Sequence, residues 1–290
     1  MTEALDTLLL QLDLEQLDAD LYRGQNPANR RPRMFGGHVA SQALIAAART
    51  VTTAPPHSLH AYFLRAGQPG VPVLYRVERT RDGRSFSTRS VIAEQEGEAI
   101  LQLSASFHAV ETGFEHAEPM GEVPAPDECT PWETWLGPMA DRMPPEMREE
   151  RLRDRPIELR FVEPVDILKP QPAGTRQRIW CRAAGSLPDD PLLHRAILAY
   201  ASDHALLSVV MRPHGRTFMS PGLMAASLDH ALWFHREPRM DEWLLYEQVT
   251  PAAFGGRGLA LGRFYTQAGV LVASVAQEGL VRDRAHAARP

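Results

Sequence analysis

The pattern of hydrophobic and polar positions occurs twice along the chain, in the same order. The first copy begins with an acidic amphipathic helix over residues 1–24. An Ala-, Leu- and Ile-rich helix follows from His38 to about Thr50; it is apolar nearly all round and is therefore predicted to be buried. Four strand-like runs follow, SLHAYFLRAG, VPVLYRVERT, RSFSTRSVIAEQ and AILQLSASFHAV, with turn signals between them. Such short loops predict an antiparallel meander.

The second copy of the pattern begins after a segment of different composition. Residues 111–156 are rich in Pro, Glu and Asp without a sustained period, which predicts a linker with short helices. A strand, a helix and further strands then return over 157–290. We therefore predict an α+β fold of two tandem units, 1–110 and 157–290. Each unit is a sheet that wraps a helix, and the two sheets join edge to edge as a pseudo-dimer within one chain.

One polar residue interrupts the predicted helix of the second unit. The stretch HRAILAYASDHALLSVV, His194 to Val210, has helical periodicity, and Asp203 falls on the stripe that should be apolar. An ionised carboxylate is costly to bury without partners, so Asp203 is either solvated near a helix end or held by donors for a purpose.

Two further polar residues lie on predicted strands of the second unit. Simple alternation places Ser227 on one strand face with Asp229, Ala231 and Trp233, and His230 on the other. We therefore reject a Ser-His-Asp triad from these neighbours, and the chain has no G-x-S-x-G elbow. Gln277, in the last strand, has an amide that could hold a water or a carbonyl, or be an ordinary edge-strand polar group.

Composition narrows the classes of partner. With 290 residues, 44% of them hydrophobic, and no run of eighteen apolar residues, the chain predicts a globular cytoplasmic protein without a membrane span. The net charge of −5 and dispersed arginines argue against nucleic acid or an anionic membrane as partner. The spacing of the histidines and of Cys129 and Cys181 predicts no metal site or disulfide framework, and no nucleotide-binding fingerprint occurs.

Several long motifs, in order, carry a likeness to a known family. They are MFGGHVASQAL, HSLHAYFLRAG, RTRDGRSFSTRSV, YASDHALL, SLDHALWFH, EWLLYE and GRFYTQAGVLVASVAQEGLVR. With them the chain resembles, over nearly its whole length, the acyl-CoA thioesterase II family, the bacterial TesB type with its double hotdog fold. The resemblance implies hydrolysis of acyl-CoA to fatty acid and CoA without a cofactor, in a homodimer or homotetramer.

The resemblance also implies a catalytic trio. Matched motif by motif, it comprises Asp203, Ser227 where relatives have threonine, and Gln277. We expect Asp203 to activate a water that Ser227 and Gln277 position. Ser227 as a covalent nucleophile is the alternative, and the oxyanion donor is either Gln277 or backbone N–H groups at a helix start.

The first unit lacks this trio, with Gln42 and Ser58 at the matched positions, and is expected to be structural. It would also wall the acyl tunnel and hold CoA phosphates, for which the candidate arginines are Arg65, Arg84, Arg89 and Arg257. Each of the four has an alternative interpretation as an ordinary surface charge.

Two competing functions remain to be weighed. Enoyl-CoA hydration on the same fold is disfavoured because the GDxNPLH pattern of that family is absent. A non-catalytic acyl-CoA-binding protein is the rival from another class, and turnover as against binding alone would separate the two.

Overall fold

The structure is a computed structural model that describes residues 2–26 and 33–283. Six α-helices lie in this part of the chain: α1 (Glu3–Leu12), α2 (Gly36–Ala48), α3 (Trp132–Ala140), α4 (Pro145–Leu152), α5 (Pro191–Ser202) and α6 (Ser208–Met211). Its strands are β1 (Glu15–Asp18), β2 (Leu21–Gly24), β3 (Pro56–Phe63), β4 (Val73–Asp82), β5 (Phe86–Gln95), β6 (Glu98–His108), β7 (Thr130–Pro131), β8 (Ile157–Phe161), β9 (Arg176–Ala183), β10 (Leu223–Ser227), β11 (Asp229–Phe234), β12 (Leu244–Phe254), β13 (Arg257–Thr266) and β14 (Leu271–Asp283).

The described strands form one antiparallel sheet, and this α+β architecture is the double hotdog that we expected. The strand order is β1-β2-β4-β5-β6-β3-β11-β14-β13-β12-β9-β8-β7, with β10 added on β14. Strand β3 pairs with β11, where Leu59 lies opposite Leu232. The two halves therefore join edge to edge, as predicted from the repeated pattern.

Helices α2 and α5 are the central helices of the two halves and pack against each other. Every residue of α2 from Gly37 to Ala48 is buried, as the apolar composition predicted. A Cβ at Gly37 would lie 2.5 Å from the carbonyl oxygen of Tyr200, so only glycine allows α2 to approach α5 this closely. This close crossing brings the start of α2 to the end of α5.

Two predictions of local structure were wrong. The helix predicted over 1–24 ends at Leu12, and β1 and β2 then form a hairpin in which Tyr22 and Gly24 are buried at every second position. The helix predicted through Val210 ends at Ser202, because Asp203 is its C-cap and Ala205 has a positive φ of 59°. The apolar period continues beyond the break only because α6 packs on the same core.

Two opposed glycines let the segment after Asp203 lie directly on the sheet. Gly258 of β13 pairs with Gly279 of β14. A Cβ would come within 2.1 Å of Val210 at Gly258 and within 2.2 Å of Leu207 at Gly279. The absence of both side chains sets the distance between the α5–α6 segment and the strand that carries Gln277.

Candidate active site

Asp203 lies where the two halves meet. Its Oδ1 accepts a hydrogen bond from Gln277 Nε2 at 2.8 Å, and its Oδ2 accepts one from the backbone N–H of Gly37 at 2.8 Å. The Ser227 side chain also lies close enough to the carboxyl to lower its pKa. The structure thus brings Asp203, Ser227 and Gln277 together, and the first half adds a backbone donor that sequence reasoning missed.

The surroundings of Asp203 tune its acidity in opposite directions. Burial raises the pKa of the carboxyl from 3.8 to about 6, against the lowering effects of the hydrogen bonds from Gln277 and Gly37, of the Arg33 charge and of the nearby Ser227 side chain. Arg33, also missed, donates to the carbonyl oxygen of Ala225 at 2.7 Å. The result is a carboxylate that ionises near neutral pH and is more basic than an exposed aspartate.

A β-bulge places Ser227 and Gln277 on the same face of the sheet. Ser227 lies opposite Gly279, whereas Ala231 lies opposite Ala276, so four steps along β10 and β11 correspond to three along β14. Because the extra residue reverses the alternation, Ser227 shares the inner face with Gln277 rather than a face with Ala231. The prediction that Ser227, Asp229, Ala231 and Trp233 share one face was therefore wrong.

Asp229 lies in the bulge, and its carboxylate takes the place of a backbone acceptor in the interrupted β-ladder. Its Oδ1 accepts the backbone N–H of Glu278, next to Gln277, at 2.6 Å, while Leu228 N–H donates to the Glu278 carbonyl. His230 lies on the inner face and is hydrogen-bonded through Nε2 to Ser202 Oγ at 2.7 Å, and burial lowers its pKa to about 4. Neither residue forms a relay with Ser227, in agreement with the rejected triad.

We predict that Asp229→Ala lowers kcat about tenfold and that Asp229→Asn keeps it near the native value. Alanine leaves the Glu278 N–H without its acceptor and frees the Gln277 segment, whereas asparagine still offers an oxygen. Steady-state kinetics on both variants check this expectation. Equal loss in the two variants, or none in alanine, would contradict a positioning role.

The four candidate arginines lie in different settings. Arg89 is buried with all five N–H groups bonded to Thr50, Arg81, Thr88 and Asp82, which leaves it no donor for a phosphate. Arg65 is exposed and pairs with Glu98 at 3.1 Å, and Arg84 is exposed. Arg257 pairs with Glu278 at 3.1 Å and lines a large groove.

The matched positions in the first half are occupied by structural contacts. Gln42 accepts from Tyr75 Oη at 2.6 Å and donates to two backbone carbonyls, and Ser58 is buried in the sheet. Among the described residues, no group of three or more His, Cys, Asp or Glu side chains is arranged to hold a metal ion. None of the described helices is long and apolar enough to cross a membrane.

Comparisons with known proteins give consistent matches. Residues 151–280 match the family described as acyl-CoA thioesterase, and residues 26–108 match the acyl-CoA thioesterase N-terminal domain. The chain is 41% identical to human acyl-coenzyme A thioesterase 8 over 93% of this chain and 87% of that protein. It is 36% identical to acyl-CoA thioesterase 2 of Haemophilus influenzae, over 97% of this chain and 99% of that protein.

Solved structures are similar over the same extent. The acyl-CoA thioesterase II TesB2 of Mycobacterium marinum superposes with a TM-score of 0.78 at 42% identity, covering 98% of this chain and all of that one. A tesB protein of Mycobacterium avium subs paratuberculosis gives a TM-score of 0.80 at 30% identity, covering 97% of this chain and all of that one.

Proposed function

Because this chain belongs to the acyl-CoA thioesterase family, we propose that it hydrolyses acyl-CoA thioesters to a free fatty acid and CoA with water activated at Asp203. The observation that carries the proposal is the Asp203 carboxylate, held by Gln277 from β14 and by Gly37 from α2. Both donors fix its orientation without removing its basicity.

Asp203 acts as the general base. With a pKa of about 6 it is ionised at neutral pH, and burial makes it a better proton acceptor than an exposed carboxylate. It takes one proton from water as the water oxygen bonds to the thioester carbonyl carbon. The tetrahedral intermediate then expels the CoA thiolate, to which Asp203 returns the proton.

Gln277 orients the attacking water. Its Nε2 faces the carboxylate, which can only accept, so the amide oxygen points away from Asp203. This Oε1 is buried and has no hydrogen-bond partner among the described residues, and it can therefore accept the second proton of the water. Ser227, which lies beside the same carboxylate, holds the water from the other side.

The start of α2 stabilises the negative charge that develops on the thioester oxygen. Gly37 N–H is bonded to Asp203, and Gly36 N–H, the preceding donor of the helix, has no acceptor within the described residues. Backbone donors at a helix N-terminus, aided by the helix dipole, are suited to such an oxyanion. The first half would thus contribute to catalysis as well as to structure.

The test is release of free thiol from acyl-CoA substrates of graded chain length, followed against pH. A base must be deprotonated to act, so kcat/KM is expected to be constant at neutral pH and to fall about tenfold per unit below the Asp203 pKa of about 6. The 3′-phosphate of CoA itself titrates at about pH 6, so the profile is also measured with a short thioester that carries no phosphate, and an inflection common to both substrates reports the enzyme.

Two results would contradict the proposal. Binding of acyl-CoA without thiol release would favour the non-catalytic binding protein, and a rate that stays constant well below pH 6 would exclude Asp203 as the base. The division at residues 110 and 157, the homodimer or homotetramer and the cytoplasmic location stay predictions.

A further inference from the structure

Helix α5 ends at Ser202, which leaves its last carbonyl without a helical partner. Because the chain turns away at Asp203, no backbone N–H of the described residues donates to the Ser202 carbonyl. Ala205, in the same turn, has a φ of 59°, a conformation that residues with a Cβ rarely adopt. A break of this kind inside the core needs donors from another element to hold it.

Strand β12 supplies two such donors. Tyr246 Oη donates to the Ser202 carbonyl at 2.6 Å, and Gln248 Nε2 donates to the His204 carbonyl at 3.3 Å. Tyr246 and Gln248 are two positions apart, so both side chains lie on the buried, inner face of the sheet. One bond is formed on each side of Asp203, the residue that carries the carboxylate.

The surroundings of Tyr246 hold its hydroxyl in one place. Its ring stacks on Phe264, with the centroids 3.9 Å apart and the planes at 13°. A Cβ at Gly262 would lie 2.4 Å from the Tyr246 ring, so this glycine leaves the space that the ring occupies. Burial, and then the charge of Asp203, raise the pKa of the hydroxyl well above its usual value, which keeps it protonated and able to donate.

The first half contains the same tyrosine with a different partner. Tyr75 of β4 occupies the matched position of the repeated strand, and Val77 occupies the position of Gln248. Tyr75 Oη donates at 2.6 Å to the side chain of Gln42, the residue matched to Asp203. Helix α2 continues without a break beyond this position, so its carbonyls are bonded within the helix. The second half therefore uses its tyrosine on the backbone beside the carboxylate, and adds a glutamine where the first half has valine.

We propose that Tyr246 is a positioning residue for Asp203, with Gln248 as a second support. By bonding the two carbonyls, the pair fixes the backbone from which the carboxylate projects. This keeps the carboxylate aligned with its donors Gln277 and Gly37. The inference rests on the proposed function, since it concerns the base of that same site. Tyr246 is fully buried and acts through Asp203 rather than on the substrate.

The experiment compares Tyr246→Phe with Tyr75→Phe. Each change removes one hydroxyl that donates at 2.6 Å from a fully buried ring, so the loss of general stability should be similar in the two variants. In Tyr246→Phe we expect kcat for the acyl-CoA that turns over fastest to fall about tenfold, with KM within about twofold of native. Tyr75→Phe should keep both constants within about twofold of native.

A second readout is the acidity of the Asp203 carboxyl. Gln277 and Gly37 lower its pKa against burial, so a carboxylate that moves away from these donors has a pKa above the native value of about 6. The base then stays protonated up to a higher pH, and the inflection in kcat/KM of Tyr246→Phe moves upward. The ¹³C chemical shift of the carboxyl, assigned by its absence in Asp203→Asn, follows the same titration without substrate. Tyr75→Phe should titrate as the native protein does.

Gln248→Met tests the second support. Methionine has a similar length but no N–H, so the His204 carbonyl loses its donor while the bond from Tyr246 remains. Gln177, which donates to Gln248, keeps Ser208 Oγ as an acceptor. We expect kcat to fall about threefold, with the inflection again at higher pH.

The outcomes separate the two proposals. If the native protein releases no thiol, the proposed function fails, and the carboxyl titration still decides whether Tyr246 positions Asp203. Equal losses of kcat in Tyr246→Phe and Tyr75→Phe, or a raised KM at native kcat in Tyr246→Phe, would overturn the inference. So would a carboxyl titration that Tyr246→Phe leaves unchanged.

Discussion

Asp203→Asn is expected to lower kcat by roughly 10²- to 10⁴-fold, the usual contribution of a general base. Asparagine has nearly the shape of aspartate, and its oxygen can still accept the Gly37 N–H. Gln277 can turn its amide so that its oxygen faces the new NH₂ group. The hydrogen-bonded frame survives, but no group remains that can take a proton from water.

The measurement is steady-state thiol release by the variant, together with its circular dichroism and thermal unfolding. Asp127→Asn is the matched control, because Asp127 is 92% exposed and lies far along the chain in the linker. It should keep native kcat. A kcat for Asp203→Asn within about threefold of native, in a folded protein, would show that Asp203 is not the base.

Gly37→Ala is expected to lower kcat by about tenfold to a hundredfold and the free energy of unfolding by about 1–3 kcal/mol. The added Cβ would lie 2.5 Å from the Tyr200 carbonyl oxygen and 2.7 Å from the Phe35 ring. Helix α2 must then move away from α5, and the Gly37 N–H moves away from Asp203. Stability and catalysis should therefore fall together.

Chemical denaturation and thiol release on the same preparation check this coupling. Gly137→Ala is the control, since Gly137 is an exposed residue of α3 with open space around its Cα, where alanine should be neutral or slightly stabilising. If Gly37→Ala kept native kcat and unfolding free energy, the close α2–α5 contact would be irrelevant to the site.

The sequence was informative where structure depends on local pattern. The four strand-like runs of the first half fall on β3 to β6, and the burial of α2 follows from its uniformly apolar composition. The repeat of this pattern predicted the two joined halves. These features are set by side-chain period and turn residues within short windows, which a single sequence displays directly.

Features that depend on distant contacts were not predictable in this way. Asp203 and Gly37 are separated by 166 positions, and no local pattern around either residue indicates their contact. The bulge at Leu228 and Asp229 depends on β14, so simple alternation placed Ser227 on the wrong face. The helix break at Asp203 was hidden because apolar residues continue at helical spacing beyond it.

The pairing of β3 with β11 also bears on how the chain is made. The edge of β3 that contains Leu59 stays unpaired until β11 has been translated, because its partner Leu232 lies 173 residues later in the chain. At ordinary rates of synthesis this leaves the β3 edge open for roughly 10 to 30 s. The ribosome-bound first half therefore carries an uncovered strand edge throughout that interval, with backbone donors and acceptors that another chain can pair with.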